Sequence, residues 1–187
     1  MKTLQNKVIT FLNEIGIETY IVEDLQKLYT SDKIKPFVKD IIIKEGKLIC
    51  DRNVKISSLL HEAGHLAVLH PNYRKFASGN IFSVIKKIGL EIDILKEPKY
   101  MYCEDTPATA WAWAVGKHLE IQEQYIIEDR EYQGGGLDVK IGLNANCYIG
   151  ITALQHAGFC VQKERLKALE RYKDLPIYPQ LNKWLQD

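Results

Sequence analysis

The sequence has no apolar run approaching the roughly 18–20 residues that a membrane-spanning helix requires. Its formal net charge is only +1 at pH 7, so charge gives no reason to expect binding to nucleic acid or to an anionic membrane. Polar residues interrupt the helical pattern of residues 1–16, which therefore does not resemble a secretory signal peptide. Composition alone leaves the oligomeric state open.

The four cysteines form no Cys-x-x-Cys pair (Cys50, Cys103, Cys147 and Cys160). Without an export signal, they are expected to be reduced thiols in the cytoplasm rather than a disulfide framework. No low-complexity tract or internal repeat divides the chain, and 46% of its 187 residues are apolar. One globular domain over residues 1–187 is the simplest organisation.

The stretch SSLLHEAGHLAVLHP (residues 57–71) contains the pattern H-E-x-x-H, formed by His61, Glu62 and His65. Residues four apart lie on one face of an α-helix, so both imidazoles can reach a single zinc ion. Glu62 follows the first histidine and can accept a proton from a zinc-bound water. A chain of this composition contains the pattern by chance roughly 0.01 times. This favours a zinc site over a helix whose histidines only form hydrogen bonds.

As a helix, this stretch is apolar nearly all round, which is typical of a helix buried in a core. Ser57 and Ser58 are candidate N-caps, and Pro71 predicts an end by about Leu69. His70 falls on the far side from the two motif histidines, and its spacing differs from H-E-x-x-H-x-x-G-x-x-H. We therefore expect His70 to be a helix-end residue rather than a ligand.

Catalytic zinc usually has three protein ligands and one open position. The acidic pair Glu104 and Asp105 precedes a second apolar helix, predicted to extend to about residue 119 with Thr106 as its N-cap. The residues that share a face with Asp105 are small, which permits close helix contact (Ala108, Thr109, Ala112 and Gly116). Thr109 could also hydrogen-bond the ligating carboxylate. We prefer Asp105 as third ligand; Glu104 stays an alternative, as does an acidic pair that only favours a helix N-terminus.

The clearest β pattern is a hairpin over residues 40–51, where two apolar runs flank Glu45-Gly46. This turn pairs residue 43 with 48 and residue 42 with 49, and the edge of such a sheet can hold an extended peptide. Helices are predicted over residues 3–15, 80–90, 145–157 and 164–173, and a strand over residues 17–22. The glycines at 134–136 predict a loop.

HEAGHLAVLHP followed by DTPATAWAWA resembles the ImmA/IrrE-type zinc metallopeptidases, over about residues 38–116. These proteins pair an H-E-x-x-H helix with a later helix of the form E-x-x-A-x-x-F-A. Here the second motif is D-x-x-A-x-x-W-A from Asp105, so aspartate replaces glutamate unless Glu104 serves. No helix-turn-helix of the kind that some relatives carry is recognisable.

The resemblance implies an α+β, zincin-like single domain with a gluzincin-type minimal core. In such a core a small β-sheet or hairpin packs on a central HExxH helix and further helices. It also implies that His61 and His65 bind the metal, that Glu62 is the general base, and that an acidic residue is the third ligand.

The expected function is zinc-dependent hydrolysis of an amide in a peptide or protein, with Glu62 as general base. Tyr148 and His156 are available to stabilise an oxyanion, although both are expected to be structural, as is His118. One alternative is a zinc-binding regulatory or interaction module without useful turnover. Another is a partner-binding domain in which the motif is accidental.

Overall fold

The computed structural model describes residues 2–25, 38–79 and 104–187. Within these residues the chain is α+β, with seven α-helices and one three-stranded sheet. The helices are α1 (Lys2–Glu14), α2 (Ile56–Val68), α3 (Pro71–Arg74), α4 (Asp105–His118), α5 (Glu123–Ile126), α6 (Gly136–Asn144) and α7 (Ile149–His156). The strands are β1 (Thr19–Val22), β2 (Ile41–Lys44) and β3 (Lys47–Asp51). The helix expected over residues 80–90 and Cys103 lie outside the described ranges.

The sheet has the order β1-β3-β2 and contains the predicted hairpin. Strands β2 and β3 are antiparallel, and residue 43 pairs with 48 and residue 42 with 49, which confirms the predicted register. Both turn residues are left-handed, Glu45 at φ 51° and Gly46 at φ 76°, as the twist of a two-residue hairpin requires. Strand β1 adds in parallel to β3.

The outer edge of β2 is partly used by the chain itself. The carbonyl of Ile43 accepts a hydrogen bond from the amide N–H of Gly79 at 2.8 Å. The carbonyl of Ile43 therefore already has a partner within the chain, and the addition of a peptide to an edge of the sheet stays a prediction.

Helix α2 is the buried centre of the fold, as its apolar pattern predicts. It ends at Val68, before Pro71, in agreement with the sequence. Its N-cap, however, is Lys55 and not Ser57 or Ser58. Ser57 lies in the first turn, where its hydroxyl donates to Glu131 Oε1 at 2.7 Å. This hydroxyl therefore bonds a residue far away in the sequence instead of capping the helix.

Helix α4 packs against α2 at a distance that only small residues permit. A Cβ atom added to Gly64 would lie 2.4 Å from the carbonyl oxygen of Ala108. On the other side, a Cβ atom added to Gly150 would lie 1.9 Å from the carbonyl oxygen of Thr106. The first turn of α4 is thus held between α2 and the start of α7, which confirms the close approach expected from its small residues.

Helix α4 begins two residues earlier than expected, since Asp105 is already helical and Glu104 is the N-cap, without a side-chain capping bond. Thr106 is therefore not the cap. The C-terminal segment covers the helix: the indole N–H of Trp111 donates to Trp184 O, and the Tyr178 hydroxyl donates to Ala110 O, each at 2.9 Å. These bonds connect the end of the chain to the core.

The glycine-rich stretch is ordered into a short 3-10 turn (Tyr132–Gly134) followed by α6, rather than an open loop. Gly136 serves a close approach, because an added Cβ atom would lie 2.1 Å from the carbonyl oxygen of Glu128. The helix predicted over 145–157 begins only at Ile149, after the left-handed residue Asn146.

The helix predicted over residues 164–173 is two 3-10 turns, Glu164–Ala168 and Glu170–Tyr172. Its apolar residues Leu166, Leu169 and Tyr172 recur every three positions, which is the period of a 3-10 helix rather than an α-helix.

The three cysteines within the described ranges are free. Burial raises the pKa of Cys50 and of Cys160 to about 12, whereas Cys147 is exposed. The helices that the structure describes include none with the length and apolar character needed to cross a membrane.

Replacing Gly64 by alanine should destabilise the protein, because the new methyl group meets the backbone of Ala108 rather than a movable side chain. We expect a loss of about 1–3 kcal/mol in the free energy of unfolding, measured by urea denaturation. Gly142→Ala is the matched control within helix α6. Its added Cβ atom has no neighbour closer than 3.6 Å, so it should be neutral or stabilise by up to about 1 kcal/mol. Equal effects of the two substitutions would contradict the close contact between α2 and α4.

Candidate metal centre

Two imidazoles and one carboxylate converge at the junction of α2 and α4. The Nε2 atoms of His61 and His65 are 3.2 Å apart. Asp105 Oδ1 lies 3.6 Å from His61 Nε2 and 3.3 Å from His65 Nε2. Within the described residues, these three side chains are the group of His, Cys, Asp and Glu able to hold a metal ion.

The triangle formed by these three atoms has the size that a tetrahedral ion requires. Zinc with bonds of about 2.0–2.1 Å in tetrahedral geometry places its ligand atoms about 3.3–3.4 Å apart. Neighbouring ligands of an octahedral magnesium ion with similar bonds lie only about 2.8–3.0 Å apart. The observed separations of 3.2, 3.3 and 3.6 Å match the tetrahedral case. Two imidazole nitrogens and one carboxylate oxygen are also ligands that zinc accepts.

The two acidic candidates occupy different positions. Asp105 is the first helical residue of α4, and its side chain is 62% exposed although its Oδ1 contacts both imidazoles. The hydrogen bonds with His61 and His65 hold the pKa of the Asp105 carboxyl well below its usual range. Glu104 is exposed at the N-cap and is not part of the three-residue group. The geometry therefore brings Asp105, and not Glu104, to the two histidines.

The other histidines with described positions lie elsewhere. His70 is the N-cap of α3, and its Nδ1 accepts a hydrogen bond from the amide of Asn72 at 3.2 Å, which agrees with its expected role at a helix end. The His118 ring packs 4.8 Å from Trp184 and 5.7 Å from Phe11, measured between centroids. His156 is exposed at the end of α7. None of the three contributes to the group of ligands.

A cleft of about 510 Å³ opens beside His61 and Asp105. Its apolar lining comes from Val38, Ala112, Ile126 and Ile127, and its polar lining from Ser57, Ser58, Glu131, Tyr132 and Gln133. Glu62 lines the same cleft. In the described parts of the chain, the side chain of Glu62 makes no hydrogen bond and no ion pair, so its carboxylate is available to a molecule in the cleft.

Thr109 lies behind His61 rather than beside Asp105. Its Oγ1 is 3.4 Å from His61 Nδ1 and 2.8 Å from the hydroxyl of Tyr132. The predicted support of Asp105 by Thr109 is therefore wrong. One turn along α4, the threonine side chain faces α2 and contacts the histidine there.

Tyr132 is the residue at this site that the sequence analysis missed. Its backbone is left-handed at φ 55°, and the next residue, Gln133, follows at φ 60°. Such conformations in residues other than glycine cost of order 1–3 kcal/mol each and persist where the surrounding structure enforces them. Burial raises the pKa of the Tyr132 phenol well above its usual range, so the hydroxyl stays neutral. Neither the spacing of apolar residues nor the residue types in the turn predict that Tyr132 lies at this site.

No protein-family model, curated protein or solved structure matched this chain. The resemblance to ImmA/IrrE-type metallopeptidases stays a prediction from its two motifs.

Asp105→Ala should weaken zinc binding by about 100-fold or more, because it removes one of the three proposed ligands. Loss of a residue that only hydrogen-bonds a ligand typically weakens metal binding by about 10–100-fold, and loss of a ligand should have a larger effect. The affinity is measured by competition with a chromophoric chelator. Glu104→Ala is the matched control, since it removes the adjacent carboxylate and should change the affinity less than about threefold. A larger loss in Glu104→Ala would show that the neighbouring residue holds the ion.

Proposed function

We propose that this protein is a zinc-dependent hydrolase, specifically a peptidase of the ImmA/IrrE-like type. One observation carries the proposal: three ligand atoms form a triangle of tetrahedral size beside a cleft that Glu62 also lines. His61, His65 and Asp105 would hold the ion. The exposure of Asp105 favours a site that faces the cleft and leaves a position for a substrate atom.

A zinc ion held by these residues would polarise a substrate carbonyl, and it would lower to about 7 the pKa of a water molecule in its open position. Glu62 follows the first ligand in sequence and lies in the same cleft. Because its carboxylate makes no hydrogen bond or ion pair with the described residues, it is suited to accept the proton of the attacking water. It then passes this proton to the leaving amine, which must be protonated to depart.

The cleft favours a peptide with an apolar side chain. Its volume of about 510 Å³ lies within the range of roughly 300–1,000 Å³ typical of ligand-binding clefts. Val38, Ile126 and Ile127 provide an apolar wall, and Glu131 lies beside it. Such a wall can hold an aliphatic side chain, and the acidic group favours a neutral or basic residue next to it.

Glu62→Gln should retain zinc but lose hydrolysis by about 10²–10⁴-fold, because the amide keeps the shape of the carboxylate and cannot act as a base. Cleavage is measured on a library of internally quenched peptides, and zinc is quantified in the same samples. Glu14→Gln, an exposed position on α1, is the matched control and should leave both quantities unchanged. Addition of a chelator should abolish cleavage by the wild-type protein.

Equal cleavage by Glu62→Gln and the wild-type protein would refute the role of Glu62 as base. Stoichiometric zinc in a wild-type protein that cleaves no peptide of the library would instead favour the zinc-binding regulatory module.

A further inference from the structure

Two hydroxyl groups converge behind His61, on the side away from the other two ligands. Thr109 Oγ1 is the more central of the two, since it lies 3.4 Å from His61 Nδ1 and 2.8 Å from the Tyr132 hydroxyl. The Tyr132 hydroxyl itself lies 3.5 Å from His61 Nδ1. Thr109 is fully buried, so water does not provide an alternative partner for its hydroxyl.

The ring orientation of His61 determines what these hydroxyls must do. Its Nε2 belongs to the triangle with His65 and Asp105. A neutral imidazole that offers Nε2 as a ligand carries its hydrogen on Nδ1, and that N–H needs an acceptor. Thr109 Oγ1 is the nearest acceptor to Nδ1 among the described contacts.

The hydroxyl of Thr109 can bond this N–H and the Tyr132 hydroxyl at the same time. It has two lone pairs and one hydrogen, so it can accept from His61 and either donate to or accept from Tyr132. The left-handed backbone at Tyr132 and Gln133 holds the Tyr132 ring against this cluster, and its centroid lies 6.4 Å from that of His61. The left-handed turn therefore keeps the Tyr132 hydroxyl beside Thr109.

We infer that Thr109, supported by the phenol of Tyr132, is a positioning residue that fixes His61 in the orientation needed to bind the metal ion. The inference rests on the proposed metal site and extends it to Thr109 and to the turn that carries Tyr132. Hydrogen-bonded partners of ligating histidines set ring orientation and ligand basicity, and their loss typically weakens metal binding about 10–100-fold.

The test compares zinc affinity in three variants by chelator competition at one pH. Thr109→Val keeps the shape of the side chain and removes the hydroxyl, and it should weaken zinc binding about 10–100-fold. Thr109→Ser restores the hydroxyl and should bind zinc within about threefold of the wild-type affinity. Thr19→Val is the matched control: Thr19 is also buried and donates a hydrogen bond, to Ile17 O at 2.9 Å. Its zinc affinity should equal that of the wild type.

A second readout separates positioning from a general loss of stability. In the zinc-loaded protein, the His61 Nδ1 proton should be visible by NMR and exchange slowly with water in the wild type and in Thr109→Ser. In Thr109→Val the same proton should exchange rapidly, because its acceptor is gone. A merely structural threonine would leave this exchange unchanged.

Wild-type zinc affinity in Thr109→Val, or unchanged exchange of the His61 proton, would overturn the inference and leave the proposed hydrolase intact. Loss of affinity in Thr109→Val in a protein that binds zinc but cleaves no peptide would support the inference while refuting the hydrolase. A wild-type protein that binds no zinc would overturn both.

Discussion

The close contact between helices α2 and α4 is the constraint on which the candidate site depends. The backbone of Ala108 lies so near Gly64 that no larger residue fits at position 64 unless the backbone moves. On the other side of α4, Gly150 at the start of α7 is also in close contact with the backbone of Thr106. The first turn of α4 is therefore fixed between two packed surfaces. Asp105 is part of that turn, so its short side chain reaches the histidines of α2 because the backbones are close. Ligands carried by rigid, packed helices are placed more accurately than ligands carried by loops.

The charge distribution of the site follows from the same geometry. Three nitrogen and oxygen atoms converge within 3.6 Å of one another. Their lone pairs repel unless a hydrogen or a cation lies between them. Hydrogen bonds from the imidazoles stabilise the ionised form of Asp105, and its depressed pKa reflects this. A carboxylate that is ionised at all physiological pH values brings a negative charge to this site, and a negative charge favours a cation.

The sequence predicted those parts of the structure that local pattern determines. The two apolar runs around Glu45-Gly46 specified the register of the hairpin, and Pro71 specified the end of α2. The small face of α4 correctly indicated close packing, which is why Asp105 and not Glu104 lies beside the histidines. Contacts between segments that are far apart in the sequence could not be predicted from local pattern. Ser57 bonds to Glu131, Thr109 faces His61, and Tyr132 arrives through a left-handed turn that its residue type disfavours. These depend on tertiary packing, which local propensity does not encode.

The spacing of the candidate ligands along the chain would couple the binding of an ion to folding. His65 and Asp105 belong to separate helices that the unfolded chain does not bring together. A cation held between them binds the native state far more tightly than the denatured ensemble. By mass action, a free concentration 100 times the dissociation constant stabilises the native state by about 2.7 kcal/mol. The melting temperature would then report the availability of the ion, and scarcity of the metal would favour unfolding and degradation of the protein.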